Sequence, residues 1–337
     1  MTTAAWEARF RAGYVSVPDW AEDAPARACV IATHDGVRQV HSYDLTTGSL
    51  TVATDRPAGT TDATISHDGE WLWWFDDADG DEHGVWRAQP FGSAPGAGLA
   101  SPLDLPAAYS AGLLLGRAGA VVVGSSDDDG TQIHAFTLTD EGSTAVGRLL
   151  YAHEEDAGAA ALSQDGAWVA IEHSERGDSR HPALRVLQVA DGVVVADLDD
   201  GDGLGLGAVD FAPLEGDARL LVQHERAGRP ELLIWNVATA ETTLVDLGLP
   251  GDVADAGWYA DGASLLVAVD HEARTRLYRH DLATGTTVGV GPLDGTVSSA
   301  TVRPDGDVWF GWSSAAHPRC VRSTSADTVA PSFCKAV

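Results

Sequence analysis

Lysine is almost missing from this 337-residue chain: Lys335 is the only one, and arginine supplies every other fixed positive charge. Acidic residues outnumber basic ones 50 to 21, for a net charge of −29. A field of that sign repels phosphate backbones and anionic lipid, so neither nucleic acid nor a membrane surface is expected as a partner. No apolar stretch reaches the roughly 18 residues a membrane-spanning helix needs. The first thirty residues lack the basic start, apolar run and small-residue cleavage site of a secretory leader. A cytoplasmic location is therefore expected. Three cysteines (Cys29, Cys320 and Cys334) form no CxxC pair and no metal-ligand spacing. They read as thiols in a reducing compartment, with a Cys320–Cys334 bridge as the alternative.

The catalytic motifs are missing too. A serine hydrolase holds its nucleophile in a Gly-x-Ser-x-Gly elbow, and none occurs. The nearest approach, Gly311-Trp312-Ser313-Ser314-Ala315, lacks the second glycine and reads as strand. His-Glu occurs at His153-Glu154, His224-Glu225 and His271-Glu272, but the position for a second zinc histidine holds Ala157, Gly228 or Thr275. The acidic run from Asp76 to Glu82 suggests calcium only superficially. Counted from Asp77, an EF-hand glycine and glutamate would fall on Glu82 and Ala88. A solvated hairpin tip is the expectation there. The glycines of Gly201 to Gly207 miss the dinucleotide-binding spacing. No cofactor, metal or catalytic residue is assigned.

What the chain does have is a repeat. Ser66-His67-Asp68-Gly69, Ser163-Gln164-Asp165-Gly166, Tyr259-Ala260-Asp261-Gly262 and Arg303-Pro304-Asp305-Gly306 are copies of one turn, with weaker copies at Glu22-Asp23, Arg117-Ala118-Gly119 and Glu215-Gly216-Asp217. Taking Asp23, Ala118 and Gly216 for the weak copies, successive gaps are 45, 50, 47, 51, 45 and 44 residues. Strand endings recur as well: Tyr43-Asp44-Leu45-Thr46-Thr47-Gly48 matches His280-Asp281-Leu282-Ala283-Thr284-Gly285. Each unit offers about four strands, with turn signals every eight to twelve residues. A near-45-residue unit of four strands is the propeller signature. The expectation is all-β: a seven-bladed β-propeller of four-stranded antiparallel blades. The blades would start near 14, 60, 106, 157, 206, 253 and 297, after an extension over 1–13, with the ring closed without strand exchange.

The loop between the second and third strands of most units carries histidine, acid and arginine together. The residues singled out are His34 and Arg38; Asp81, Glu82, His83 and Arg87; His173, Glu175, Arg176 and His181; His224 and Arg226; and His271 and Arg274. With His317, seven of the twelve histidines occupy equivalent loops. Strand alternation places those loops, and both ends of the propeller, on one face. Mixed-sign charge there reads either as a solvated rim with local ion pairs or as a docking face.

Three segments then show a likeness. Asp77 to Arg87, Ile171-Glu172-His173-Ser174-Glu175-Arg176-Gly177-Asp178, and Trp312 to Pro318 followed by Val321-Arg322-Ser323 resemble the N-terminal propeller of the prolyl oligopeptidase family of serine peptidases, in particular its acylaminoacyl-peptidase and dipeptidyl-aminopeptidase-like members. The resemblance implies a propeller that restricts substrate size beneath an α/β-hydrolase domain carrying a Ser-Asp-His triad. The sequence stops at Val337, where that domain would begin, so no triad residue carries over. The expected role is a non-catalytic gating module whose partner, at the second-to-third-strand loops, is a hydrolase domain or a peptide. Alternatives are a propeller enzyme using the histidine-bearing face for general acid–base chemistry, and an interaction scaffold.

Overall fold

The computed structural model describes residues 13–77, 79–138 and 147–325. Its strands are all antiparallel and fall into six open sheets. The first joins β1 (Asp19–Trp20), β2 (Arg27–His34), β3 (Val37–Asp44) and β4 (Ser49–Val52) in that order. A seven-stranded sheet follows, running from β5 (Ala63–Ile65), β6 (Trp71–Asp76) and β7 (His83–Pro90) into β8 (Ala108–Leu115), β9 (Ala120–Asp127), β10 (Gly130–Thr137) and β11 (Arg148–His153). Three four-stranded sheets come next. They hold β12 (Ala157–Leu162), β13 (Trp168–His173), β14 (Ala183–Gln188) and β15 (Val194–Leu198); β16 (Leu206–Phe211), β17 (Arg219–His224), β18 (Glu231–Asn236) and β19 (Glu241–Val245); and β20 (Asp252–Trp258), β21 (Ser264–His271), β22 (Arg274–Asp281) and β23 (Thr286–Val290). The last sheet has β24 (Thr296–Val302), β25 (Val308–Ser313) and β26 (Cys320–Ser323).

The repeated turn explains the repeated sheet. In Ser66-His67-Asp68-Gly69 the Gly69 N–H donates to the Ser66 carbonyl at 2.8 Å, Trp71 N–H to Ser66 Oγ at 3.0 Å, and Glu70 N–H to Asp68 Oδ1 at 2.9 Å. Ser163-Gln164-Asp165-Gly166 repeats this set, and both glycines stand at φ near +70° (71° and 68°), where a side chain is strained. The second strands are apolar on both faces because each lies between two neighbouring sheets. Leu72, Val169, Leu221 and Leu265 are fully buried.

Hydrophobic clusters fill each gap between successive strand groups, from Leu72 and Val40 round to Phe310 and Leu266. The last sheet then packs on the first through Trp309, Val321, Trp20 and Tyr43. Arginines fasten this seam. Arg319 donates to the Val15 carbonyl at 2.7 Å, and its guanidinium lies 4.7 Å from the Tyr14 ring centroid, with Arg38 at 4.2 Å.

Two details depart from a uniform four-strand repeat. The fourth strand of the second unit shrinks to one bridge, Ala88 to Ala100, and β7 pairs directly with β8 through His83–Tyr109 and Gly84–Ala108. Pro90, Pro95 and Pro102 withhold backbone donors along that segment, and Gly92, Gly96 and Gly98 adopt positive φ. In the last unit three strands are seen, and residues 326–337 lie outside the described part, as do 1–12. Tyr14 abuts Thr33 at the loop end of β2, whereas Ser325 hydrogen-bonds Asp307 at the opposite, turn end. Cys29 is a buried free thiol and Cys320 a half-buried one; Cys334 falls outside the described residues. No helix among the described residues is long and apolar enough to cross a membrane.

Candidate functional site: a channel with two unlike mouths

The innermost strands β1, β5, β8, β12, β16, β20 and β24 all line one axial channel. It has two lobes, of about 430 and 360 Å³, which share Asp19, Trp20, Glu22, Gln164, Asp210 and Pro213. Bulges recur on these strands, between Ala159 and Ala161, Ala208 and Asp210, Val253 and Asp255, and Val297 and Ser299. A bulge re-aims the residues beside it. Asp210 and Asp255 directly follow two of them and line the larger lobe together with Asp19.

These three carboxylates are exposed to the channel, yet protein encloses them. Enclosure disfavours the charged form. Burial raises the Asp19 carboxyl against an opposing hydrogen bond from Thr64, and raises Asp255 likewise. Asp210 is pushed up to about 7 by burial, with Glu22 adding repulsion. A folded-state value above the ordinary 3.8 means that stability falls as pH rises from about 4 through 7, because only the unfolded chain releases its proton freely. Asp210→Asn removes that loss. Its melting temperature should match wild type near pH 4 and exceed it by about 1–3 °C at pH 8. A difference that does not change with pH would contradict this.

At the turn end, the charged residues of the weaker turn copies meet across the channel. Glu22 Oε2 accepts from Gln164 Nε2 at 2.8 Å and from Arg117 Nη2 at 3.2 Å, and His67 Nδ1 stands 3.5 Å away. Arg117 also grips Asp23 at 2.8 and 3.2 Å, which holds the Asp23 carboxyl below its ordinary range. His67 Nε2 faces the Leu115 carbonyl at 2.9 Å. None of these contacts was foreseen from the sequence.

At the other end the singled-out loop residues do gather, though not as one open ring. His34, His83, His271, Arg274 and Arg38 are exposed. His83 meets the Tyr109 ring edge-on at 5.4 Å. Asp81 and Glu82 sit on the 77–82 hairpin, where Asp77 accepts the backbone N–H groups of Gly80, Asp81 and Glu82 at 2.7–3.0 Å, as a solvated tip would. Arg87 turns inward to Asp76 at 3.2 Å. Glu175 accepts from Arg185 at 2.6 Å and Tyr151 Oη at 2.8 Å, and is held below its usual range despite desolvation. Arg176 lies 3.7 Å from Asp199, Arg226 pairs with Asp200 at 2.7 Å, and His181 contacts Asp178 at 3.1 Å.

Two histidines are not on the face at all. His173 and His224 end β13 and β17, are 2% and 1% exposed, and are lowered below the usual imidazole range, first by burial. They are neutral core residues. In the last loop Ser314 Oγ contacts His317 Nδ1 at 3.1 Å, while the N–H groups of Ala316 and His317 point at the same oxygen. Among the described residues, no three His, Cys, Asp or Glu side chains converge to hold a metal ion.

No known sequence family matches the chain, and no curated protein does. Solved structures match closely in shape. The β-propeller domain of the Trilobed protease from Pyrococcus furiosus superposes with a TM-score of 0.70 at 12% identity, over 94% of this chain and 96% of that one. A prolyl endopeptidase superposes with a TM-score of 0.70 at 16% identity, over 94% of this chain. The chain spans about half, 48%, of that enzyme. An oligogalacturonate lyase in complex with manganese gives 0.69 at 14% identity, over 94% of this chain and 89% of the lyase. The fold is a β-propeller, similar to the propeller domains of prolyl oligopeptidase-family proteins.

Proposed function

We propose that the chain is a non-catalytic propeller module that admits and positions peptides, of the kind that serves a prolyl oligopeptidase-type hydrolase domain. In this reading the described strands belong to seven blades, the seven-stranded sheet being two of them joined through β7 and β8. The ring closes by the arginine-clasped packing of last sheet on first, without strand exchange. The loop face is where a hydrolase domain or a peptide docks.

The observation that carries the reading is the pair of unlike channel ends. One bears a rim of mixed-sign loops, with exposed His34, His83, His271 and Arg274 among internally paired ions. The other is crossed by side chains. Mixed charge at a rim orients a partner more than it tightens binding. The likeness to about half of a prolyl endopeptidase supports the same division of labour. Incubated with a serine-directed fluorophosphonate and with acyl- and aminoacyl-chromogenic peptides, the purified chain should show neither labelling nor product. Labelling lost in Ser314→Ala would overturn the non-catalytic reading.

The lyase likeness favours a second reading, a propeller enzyme working from its loop face. Burial of His173 and His224 removes two of the histidines such a site would draw on.

A further inference from the structure

The fourth strand of the second unit is reduced to one bridge, so β8 lies directly against β7. That pairing brings Tyr109 to the loop end, where it is 47% exposed and meets His83 edge-on at 5.4 Å. A cavity of about 440 Å³ lies between Tyr109, the 58–62 connection and the 77–82 hairpin. Its wall holds Phe75 and three carboxylates, Asp62, Asp77 and Glu82, and among the described residues no basic side chain lines it. The two arginines of this unit are spent elsewhere, since Arg56 and Arg87 both bind Asp76.

The three carboxylates are not equivalent. Both oxygens of Asp77 accept backbone N–H groups of its own hairpin. The side chains of Asp62 and Glu82 have no hydrogen-bond or ion-pair partner among the described residues. Burial raises the Asp62 carboxyl above its ordinary range, so water screens it incompletely. Thr60, in the same wall, is 4% exposed and its hydroxyl has no partner, which is costly for a buried polar atom. We propose that this pocket binds an aliphatic diamine or polyamine, its cationic nitrogens on Asp62 and Glu82 and its hydrocarbon spacer across Tyr109 and Phe75. Two unpaired carboxylates are neutralised by two cationic nitrogens. The rings attract cations and cover methylene groups, and Thr60 can accept from a ligand N–H. A bare divalent ion fits less well, because it needs six or more oxygens and those of Asp77 are already committed. The proposal does not depend on the peptide-module reading.

Calorimetric titration of the whole chain with putrescine and spermidine, at about 0.15 M salt to screen diffuse attraction, tests it. Both should bind saturably, one to one, and n-butylamine at least about tenfold more weakly. Asp62→Asn, Glu82→Gln and Tyr109→Ala should each weaken putrescine by about tenfold. Thr60→Val should weaken it while leaving the melting temperature unchanged or raised, because the hydroxyl has no partner within the fold. Glu215→Gln, which removes one charge at the turn end, should leave binding unchanged. Absence of saturation overturns the proposal. So does equal weakening in Glu215→Gln and Asp62→Asn, which would reduce binding to attraction by the net charge of −29. Binding of N-acetyl-lysinamide as tight as that of putrescine overturns it too, since one cation would then suffice.

Discussion

Trp309→Ala should lower the unfolding free energy by about 3–5 kcal/mol, the cost of emptying a buried indole site. Its effect should also be localised. Trp309 is 4% exposed and meets Trp20 edge-on at 5.0 Å across the seam between last sheet and first. Arg303 lies 5.2 Å over Trp20 and donates to the Pro25 carbonyl at 2.9 Å, so polar clasps flank the aromatic contact. No strand crosses this seam among the described residues, so side-chain packing and the arginine clasps, with no β-ladder, resist its opening. Hydrogen exchange in the variant should accelerate first in β1, β2 and β24–β26. A loss below about 1 kcal/mol, or exchange rising evenly in every sheet, would show that closure does not depend on the aromatic contact.

The second large effect concerns Asp76. Its side chain is 6% exposed and its carboxylate is paired with Arg56, from the 53–62 connection, and Arg87, from β7. Arg56→Ala or Arg87→Ala alone should cost about 1 kcal/mol, because the remaining guanidinium still faces the charge. Removing both leaves a buried, unpaired carboxylate and should cost about 3–5 kcal/mol, far more than the sum. Urea titration of the four-member cycle reads the coupling directly. Additivity within about 0.5 kcal/mol would mean that water already solvates Asp76.

Arg87 also shows where sequence reading stops. Its place beside a charged loop made it look like a docking residue, but strand parity turns it back toward Asp76. His173 and His224 differ from His34 in the same way: each ends its second strand facing the core. A linear pattern of His, Glu and Arg does not say which of them a neighbouring blade covers.

The propeller fold was legible because Ser-x-Asp-Gly states its own turn chemistry, through the Asp68 and Asp165 side-chain contacts to backbone N–H groups. The shortened fourth strand of the second unit was written in its prolines. The acidic channel was hidden for a geometric reason. Asp210 and Asp255 lie beside bulges that break the alternation by which a lining residue would be recognised. The contacts across the turn-end mouth were hidden because Glu22, His67, Arg117 and Gln164 sit 45 to 142 residues apart. Yet a signal was there: Glu22, His67, Arg117 and Gln164 occupy the same position in their turn copies, just before Asp23, Asp68, Ala118 and Asp165.

The two ends of the channel are therefore unlike: Glu22, Gln164 and Arg117 meet at one, and the other carries long charged loops. Hydrogen–deuterium exchange on the whole chain, with and without a mixture of peptides about 5 to 15 residues long, tests that division most directly. The account predicts protection confined to the loops around 34–36, 79–83, 174–182, 225–230, 272–273 and 314–319, with every peptide recovered intact. Protection centred on Glu22, Arg117 and Gln164, or cleavage of the peptides, would contradict it.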